Sequence, residues 1–339
     1  MSTTIILPTL TAYNAVKFCR KLSEHSKITD YIFDYSLLTT CEPFGMLLTA
    51  ARMRQFMASM PHVRFGHMHF EGKEYPDYMG FFDSIGVQFG QNTLRKKGSF
   101  THLPITYYDV IQLKEEAREE SVYVGETIEK RSASLANILS QQNPKLEEYL
   151  TYSLREIMRN VVEHSESDKI WFAAQYWPSR DWVELAILDE GIGIRKSLTN
   201  NPNINLKREE DAILLAIEPG VSGKVFTTSG KKKGGSFFDD QWQNSGYGLY
   251  MTSSICQNGG NFLILSDNLS LLIEGTEKKL VHTNFRGTAI RMRLRPSLVR
   301  NLSKHLEELR EEGKKRAKEN KESTILSASK VSRMLVVKK

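Results

Sequence analysis

The stretch Asp189-Glu190-Gly191-Ile192-Gly193-Ile194 organises the second half of the chain. It follows residues 182–188, a run rich in β-forming and apolar side chains that predicts a largely buried strand. A carboxylate at the end of such a strand needs a partner, because an unpaired polar group is costly to bury. The two glycines leave space for a flat or bulky ligand to approach the backbone. A simple glycine-rich turn would also explain this stretch taken alone.

The composition is that of an ordinary globular protein. The 339 residues are 40% hydrophobic and 25% charged, and they suffice for two domains with separate cores. No signal peptide or membrane-spanning run is apparent, and three scattered cysteines fit a reducing compartment, so we expect a cytoplasmic protein. The net charge of +6 comes from residues 297–339, which contain 12 Lys/Arg and 6 Asp/Glu. The neutral remainder argues against a basic, nucleic-acid-binding core.

Residues 1–105 predict a small α/β domain. Helical and strand patterns alternate there, which favours a layered arrangement with parallel pairing. The predicted elements are a helix at 12–23, a strand at 31–35, a helix at 44–60, a strand at 63–70 and a helix from Pro76. This order, with a short strand-to-helix turn at 39–45, resembles the STAS domains of bacterial anti-sigma factor antagonists.

In the STAS family a phosphorylatable serine commonly lies just before the glycine that opens the helix. The matching stretch here is Cys41-Glu42-Pro43-Phe44-Gly45, which has no hydroxyl group. The resemblance therefore implies a docking or dimerisation role rather than a phosphorylation switch. His62, His67 and His69 lack further ligands at metal-binding spacing, so ordinary histidines are favoured over a metal site.

A long helix over residues 143–164 carries the strongest candidate for chemistry. Asn143 is suited to cap it, and a proline follows at the first helical position. Glu156, Asn160 and Glu163 are spaced i, i+4 and i+7, which places them along one face. Two carboxylates and an amide suit a hard cation, although a solvated helix face is the favoured explanation for this helix taken alone.

Four segments together resemble the motifs of the GHKL ATPases, the superfamily of DNA gyrase, heat-shock chaperone, histidine-kinase and mismatch-repair ATPases. Residues 156–164 look like the N box, and 189–193 match the first glycine box, DxGxG. Residues 244–249, Asn-Ser-Gly-Tyr-Gly-Leu, match the second glycine box, and Gly287-Thr288 fits the last. Four motifs in family order over about 150 residues are far more specific than any one of them. The sequence contains no P-loop pattern and no GxGxxG dinucleotide pattern.

The resemblance implies a GHKL (Bergerat-fold) α/β sandwich with a mixed, largely antiparallel sheet behind the STAS-like α/β domain. The domain boundaries expected are 1–105 for the STAS-like domain, 106–142 for a helical connector, 143–296 for the ATP-binding domain and 297–339 for a charged helical or disordered tail. The ATP lid is expected at about 195–243.

At the adenine end, the resemblance assigns the recognition of the base to Asp189. Its carboxylate would accept a hydrogen bond from the adenine amino group, and a wrong base would leave the charge unpaired. Gly191 and Gly193 would complete the base site, with Gly193 letting the ring lie against the backbone. Thr288 would assist at the same edge.

At the phosphate end, the resemblance assigns Mg²⁺ to Asn160, with Glu156 touching the ion through water. Glu156 would also be the general base that activates the attacking water. Gly246 and Gly248 would present backbone N–H groups to the phosphates at a helix N-terminus. Lys233, in the basic part of the lid, would reach the γ-phosphate, although a solvated loop is an equal alternative.

The function expected from these motifs is ATP binding and hydrolysis that drive a lid-closing, conformational or dimerisation switch in bacterial regulation or defence. A serine protein kinase of the anti-sigma type, acting on a separate STAS partner, is one alternative. A nucleotide-sensing adaptor that does not hydrolyse ATP is another. The expected cofactors are ATP and Mg²⁺, and the expected partners are an unidentified protein and a second copy of the chain. The basic tail at 297–339 leaves nucleic-acid contact open, with solvent exposure favoured.

Overall fold

The computed structural model describes residues 2–25, 30–88, 101–223 and 246–319, which form an α/β protein with two sheets. The strands are β1 (Ser2–Ile6), β2 (Asp30–Asp34), β3 (Phe65–Met68), β4 (His102–Asp109), β5 (Lys169–Trp177), β6 (Trp182–Asp189), β7 (Asn261–Glu274) and β8 (Glu277–Leu294). The helices are α1 (Ala12–Leu22), α2 (Pro43–Ala58), α3 (Glu74–Tyr78), α4 (Phe81–Ser84), α5 (Val110–Glu119), α6 (Val124–Ser140), α7 (Pro144–Asn160), α8 (Gly193–Thr199), α9 (Asp211–Ala216), α10 (Gly248–Ile255) and α11 (Leu302–Glu319).

The first sheet is the small parallel layer that the alternating pattern predicts. Its strand order is β1-β2-β3, and both pairs are parallel, with α1 and α2 in the connections. β1 is an addition to the predicted elements. It pairs with β2 over residues 2–6, so this short β-forming run precedes the first predicted helix.

The second sheet has five strands in the order β4-β5-β6-β8-β7. Every pairing among its described residues is antiparallel, so the expected mixed sheet is wrong in that detail. The reason lies in the connections: β5–β6 and β7–β8 are hairpins, with turns at 178–181 and 275–276. The hairpin β7–β8 is a long two-stranded ribbon of 14 and 18 residues.

Both faces of the second sheet are covered. One face packs on α6, α7 and α10 in the larger core. The other packs on α1 and α2, where Val16 and Phe44 belong to the same apolar cluster as Leu188 and Leu263. Burial on both faces explains why β6 is a nearly continuous apolar run rather than an alternating one.

The first sheet is therefore not separated from the second sheet by a helical connector. β4 spans residue 105 and pairs with β5, so the predicted boundary falls within a strand of the second sheet. The predicted connector at 106–142 forms α5 and α6, whose buried residues join the larger core beside α7. The apolar side chains of these helices, hidden among many charges in the sequence, are what draw them into that core.

A buried charge network fastens α1 and α2 to the sheet. Glu184, fully buried on β6, pairs with Arg291 at 2.9 Å and with Arg293 at 2.6 Å, both on β8. It also accepts a hydrogen bond from the Phe44 N–H at the start of α2, at 3.0 Å. Burial opposes ionisation of Glu184, but the two guanidinium groups and this N–H outweigh it and hold the pKa below its usual range. Glu42 extends the network to Arg293 at 3.0 Å.

The predicted tail begins with a packed helix. Leu302, Leu306 and Leu309 of α11 are buried in the larger core, as their helical spacing predicts. Residues 320–339 lie outside the described residues. Within the described part of the chain, no helix is long and apolar enough to cross a membrane.

Candidate functional site

A cleft opens where β6 ends, and it is lined by residues of α7, α8 and the start of α10. Its lining brings together six of the predicted site residues from four separate segments: Asn160, Asp189, Gly193, Gly246, Gly248 and Thr288. Apolar side chains from α7, α8 and the sheet complete the walls. A mostly apolar concavity with a few convergent polar groups is the usual form of a small-molecule site.

Asp189 is the buried ionisable group at one end of this cleft. Its residue is 3% exposed, and it lies opposite Thr288 in the β6–β8 pairing. Burial raises the pKa of the Asp189 carboxyl to about 7, although the backbone N–H groups of Gly191 and Thr288 and the Thr288 hydroxyl favour the charged form. The Gly191 N–H donates to Oδ1 at 2.9 Å. A ligand that donates a hydrogen bond to this carboxylate would relieve the cost of its burial.

The glycines after Asp189 are required by neighbouring protein atoms. A Cβ at Gly191 would lie 1.9 Å from the carbonyl oxygen of Ser165. Gly193 has φ +76°, and a Cβ there would lie 2.8 Å from Oδ1 of Asp267. The two glycines thus let the turn pack between the end of the α7 extension and β7, which is a different reason from the predicted contact with a ligand ring. Gly193 lines the cleft, whereas Gly191 lies behind Asp189.

A π-helical turn at Val161–Ser165 continues α7 into the cleft. It places His164 and Ser165 on the same wall as Asn160. The Ser165 carbonyl then accepts a hydrogen bond from the Ile192 N–H at 2.8 Å, which joins this turn to the glycine turn. Short π-helical segments inside α-helices are frequent at functional sites. The sequence carries no signal for such a turn, so Ser165 was not among the predicted residues.

Glu156 lies beneath the cleft rather than in its wall. It is 2% exposed, and its Oε1 pairs with Arg155 at 2.7 Å and lies 4.0 Å from Arg159. Oε2 faces the start of α10, where a Cβ at Gly248 would lie 2.8 Å from it. Glu163 is likewise paired, with Arg159 at 3.2 Å. The predicted row of cation ligands is therefore interleaved with arginines that neutralise its two carboxylates.

The other end of the cleft is formed by the second glycine box. Gly248 begins α10, so the first backbone N–H groups of that helix lie beside the cleft. Gly246 has φ +75° and packs tightly on Val221, whose carbonyl oxygen would be 2.4 Å from a Cβ at residue 246. Lys233 and residues 224–245 of the predicted lid and glycine box lie outside the described residues.

Comparison with known proteins adds no assignment. No family model matches the chain, and no curated protein matches it. Among the described residues, no group of three or more His, Cys, Asp or Glu side chains is placed to hold a metal ion. Of the three histidines weighed as metal ligands, His67 hydrogen-bonds to Tyr35 at 2.7 Å, and His69 lies 2.9 Å from Asp34.

Proposed function

We propose that this chain binds ATP with Mg²⁺ in the cleft and belongs in function with the GHKL ATPases that its motifs resemble. One observation carries the proposal: a single cleft is lined by Asp189 and Thr288 together with Asn160 and the start of α10. These groups come from segments far apart in sequence. A glycine-rich turn without a ligand would not require a buried carboxylate aligned with them.

The adenine end fits a base with an exocyclic amino group. Asp189 is buried, and its pKa is raised to about 7 because of that burial, so its ionised form benefits from a new donor. An adenine amino group supplies such a donor, whereas the guanine oxygen at the corresponding position would face the carboxylate with another acceptor. This difference would favour ATP over GTP.

The phosphate end fits an anion. The N-terminal turn of α10 presents backbone N–H groups and the positive end of a helix dipole. Asn160, which also lines the cleft, has an amide oxygen of the kind suited to Mg²⁺. The ion, when bound, would neutralise phosphate charge. The protein side chains then position the nucleotide between Asp189 and α10.

Hydrolysis is proposed through Glu156. Arg155 holds one carboxylate oxygen, and the other faces Gly248 at the phosphate end. A carboxylate held in this way could orient a water and accept its proton when the nucleotide rearranges the start of α10. ATP turnover would then drive a conformational or dimerisation switch in a cytoplasmic protein, with a second copy or another protein as partner.

A second candidate, a nucleotide sensor without turnover, is favoured by the same residue. Glu156 is 2% exposed and ion-paired, which is an unusual state for a general base. A kinase acting on its own first domain has less support, because residues 41–45 contain no hydroxyl. The start of α2 is also packed under Leu10, whose carbonyl oxygen would lie 1.8 Å from a Cβ at Gly45. A kinase would need a separate substrate protein.

One experiment separates these functions: incubation of the protein with Mg²⁺ and γ-labelled ATP, alone and with cell extract. Free phosphate released by the unsubstituted protein and lost in Glu156→Gln supports the ATPase. The matched control is Glu163→Gln. Glu163 is also paired to an arginine, Arg159, but it is not the carboxylate that faces Gly248. Bound, intact ATP supports the sensor, and a labelled extract protein supports the kinase. Failure to bind ATP at all contradicts the proposal.

A further inference from the structure

Helix α2 is bonded to the second sheet at both of its ends. Near its start, the Phe44 N–H donates to Glu184 in the middle of β6. Near its end, Arg54 and Gln55 contact Glu190, which directly follows Asp189. Eleven helical residues rise about 16 Å and six strand residues about 20 Å, so the helix and the strand have matching spans between these contacts.

Arg54 is held in one position by three partners. Its Nη2 pairs with Oε2 of Glu190 at 3.2 Å, and its Nη1 donates to the Ser84 carbonyl at 3.2 Å. The guanidinium carbon lies 4.1 Å from the centre of a Trp171 ring on β5. A planar guanidinium with its hydrogen bonds and its face occupied is a rigid support. Arg54 and Glu190 are only about one-fifth exposed, which limits screening by solvent.

Gln55 bridges the turn that follows Asp189 and the segment of β8 that leads to Thr288. Its Nε2 donates to the Arg286 carbonyl at 2.8 Å and to Oε1 of Glu190 at 3.4 Å, and its Oε1 accepts from the Arg286 N–H at 3.3 Å. The segment of β8 at Gly287 also touches the Asp189 turn directly. Gly287 has φ +112°, and a Cβ there would lie 2.0 Å from the Asp189 carbonyl oxygen. A shift of Gln55 therefore acts on the Asp189 turn and on the segment that leads to Thr288.

We propose that Arg54 and Gln55 are positioning residues for the adenine-binding carboxylate Asp189. The N-terminal unit, which is the first sheet with helices α1 to α4, would thereby set nucleotide affinity and base selectivity. This inference rests on the proposed function of the cleft. Neither residue lines the cleft, so both act through Glu190 and Arg286. Because coupling between two sites is reciprocal, bound nucleotide also stabilises the contacts of α2 with Glu190 and Arg286.

A purely structural role for these two side chains is the competing explanation. The seating of α2 already has two other sources: the Glu184 network at its start and the apolar cluster containing Phe44, Leu47 and Leu188. Loss of Arg54 or Gln55 should therefore leave the fold in place. Its main effect should fall on the orientation of the Asp189 and Thr288 segments, and hence on the base rather than on the phosphates.

The test compares binding of Mg-ATP, Mg-GTP and inorganic tripolyphosphate by calorimetry, with thermal unfolding measured in parallel. The variants are Gln55→Ala and Arg54→Met, with Arg54→Lys as a variant that keeps the positive charge beside Glu190 but loses the planar guanidinium. Arg64→Met is the matched control, because Arg64 forms an exposed ion pair with Asp30 at 2.6 Å in the same N-terminal unit. We expect ATP binding about 5- to 10-fold weaker in the two variants, with GTP and tripolyphosphate binding changed less than about 2-fold.

The expected result is a smaller preference for ATP over GTP in Gln55→Ala and Arg54→Met, near-normal unfolding temperatures, and only partial recovery of ATP affinity in Arg54→Lys. The inference is overturned if both variants bind ATP like the unsubstituted protein. It is also overturned if all three ligands weaken equally together with the unfolding temperature, since that pattern reports a general loss of structure. If the unsubstituted protein binds tripolyphosphate but shows no preference for ATP, or binds neither, the proposed function itself fails and the inference falls with it.

Discussion

Replacing Asp189 by asparagine should stabilise the nucleotide-free protein. The carboxyl group is 3% exposed, and burial raises its pKa to about 7 from an ordinary value of 3.8. Each pKa unit between the folded and unfolded chains corresponds to about 1.4 kcal/mol, so ionising Asp189 costs the fold about 4 kcal/mol at most. Asparagine avoids that cost and keeps an oxygen that can accept the Gly191 N–H, now bonded at 2.9 Å.

The sign of the pH dependence follows from the same values. Between pH 3.8 and about 7 the folded chain holds a proton on Asp189 that the unfolded chain has released. The free energy of unfolding of the unsubstituted protein therefore contains a contribution that falls as pH rises through this window and is lost above it. Asp189→Asn has no such contribution. Allowing for the imperfect fit of an amide, we expect the variant to be more stable by about 1–3 kcal/mol at pH 8.

The assay is urea unfolding of both proteins without nucleotide, at intervals from pH 5 to pH 8.5. The difference between the two curves isolates the single carboxylate, because every other titrating group is shared. Asp30→Asn is the control: Asp30 is paired with Arg64, whose hydrogen bond holds the pKa of Asp30 below its usual range, so no gain is expected at pH 8. A difference curve that is flat with pH, or a less stable Asp189→Asn at pH 8, would refute the reasoning.

Three further predictions follow from close contacts. Gly248→Ala would place a Cβ 2.8 Å from Oε2 of Glu156 and should cut phosphate release about 100-fold, whereas Gly66→Ala, whose Cβ would have its nearest neighbour at 3.6 Å, should not change it. Glu184→Ala leaves Arg291 and Arg293 without their buried carboxylate partner and should destabilise the protein by about 3–5 kcal/mol in urea unfolding, against less than about 0.5 kcal/mol for the exposed Glu307→Ala. A fragment of residues 106–339 lacks α1 and α2 and uncovers Leu188, Leu263 and Phe285, so it should aggregate in size-exclusion chromatography; a monomeric fragment that binds ATP would contradict the layered fold.

Local signals in the sequence account for much of the fold. Asn143 accepts a hydrogen bond from the Leu146 N–H at 3.1 Å and Pro144 begins α7, as the capping pattern predicts. β6 lies where the β-forming run at 182–188 places it. Strand β7 contains an irregularity, where Asp267 has φ +56° and the pairing with β8 shifts.

Local signals in the sequence do not specify contacts between residues that are far apart in the chain. Glu184 reads as one polar residue in an apolar strand, and its burial depends on arginines more than a hundred positions away. The seating of α2 on the second sheet likewise joins Gln55 to Arg286, and no local pattern specifies that contact. Tertiary packing also decides the place of α5 and α6, which the sequence presents as a polar connector.

The candidate site was likewise predicted in part from the sequence. The motif resemblance selected six residues that the structure brings together in the lining of one cleft. It did not anticipate that Glu156 would be buried against Arg155, although the two residues are adjacent in sequence. Charge pairing of neighbours on a helix can be read from sequence only once the burial of that face is known.

The most direct test of the central claim is the titration of the full-length protein with ATP and Mg²⁺ by isothermal calorimetry, beside Asp189→Asn. We expect saturable ATP binding by the unsubstituted protein. Binding by the variant should be weaker by a factor of about ten or more, since one charge-assisted hydrogen bond to the base is lost. The variant should at the same time be folded and at least as stable. Equal ATP affinity in the two proteins would contradict the assignment of Asp189 to the adenine base.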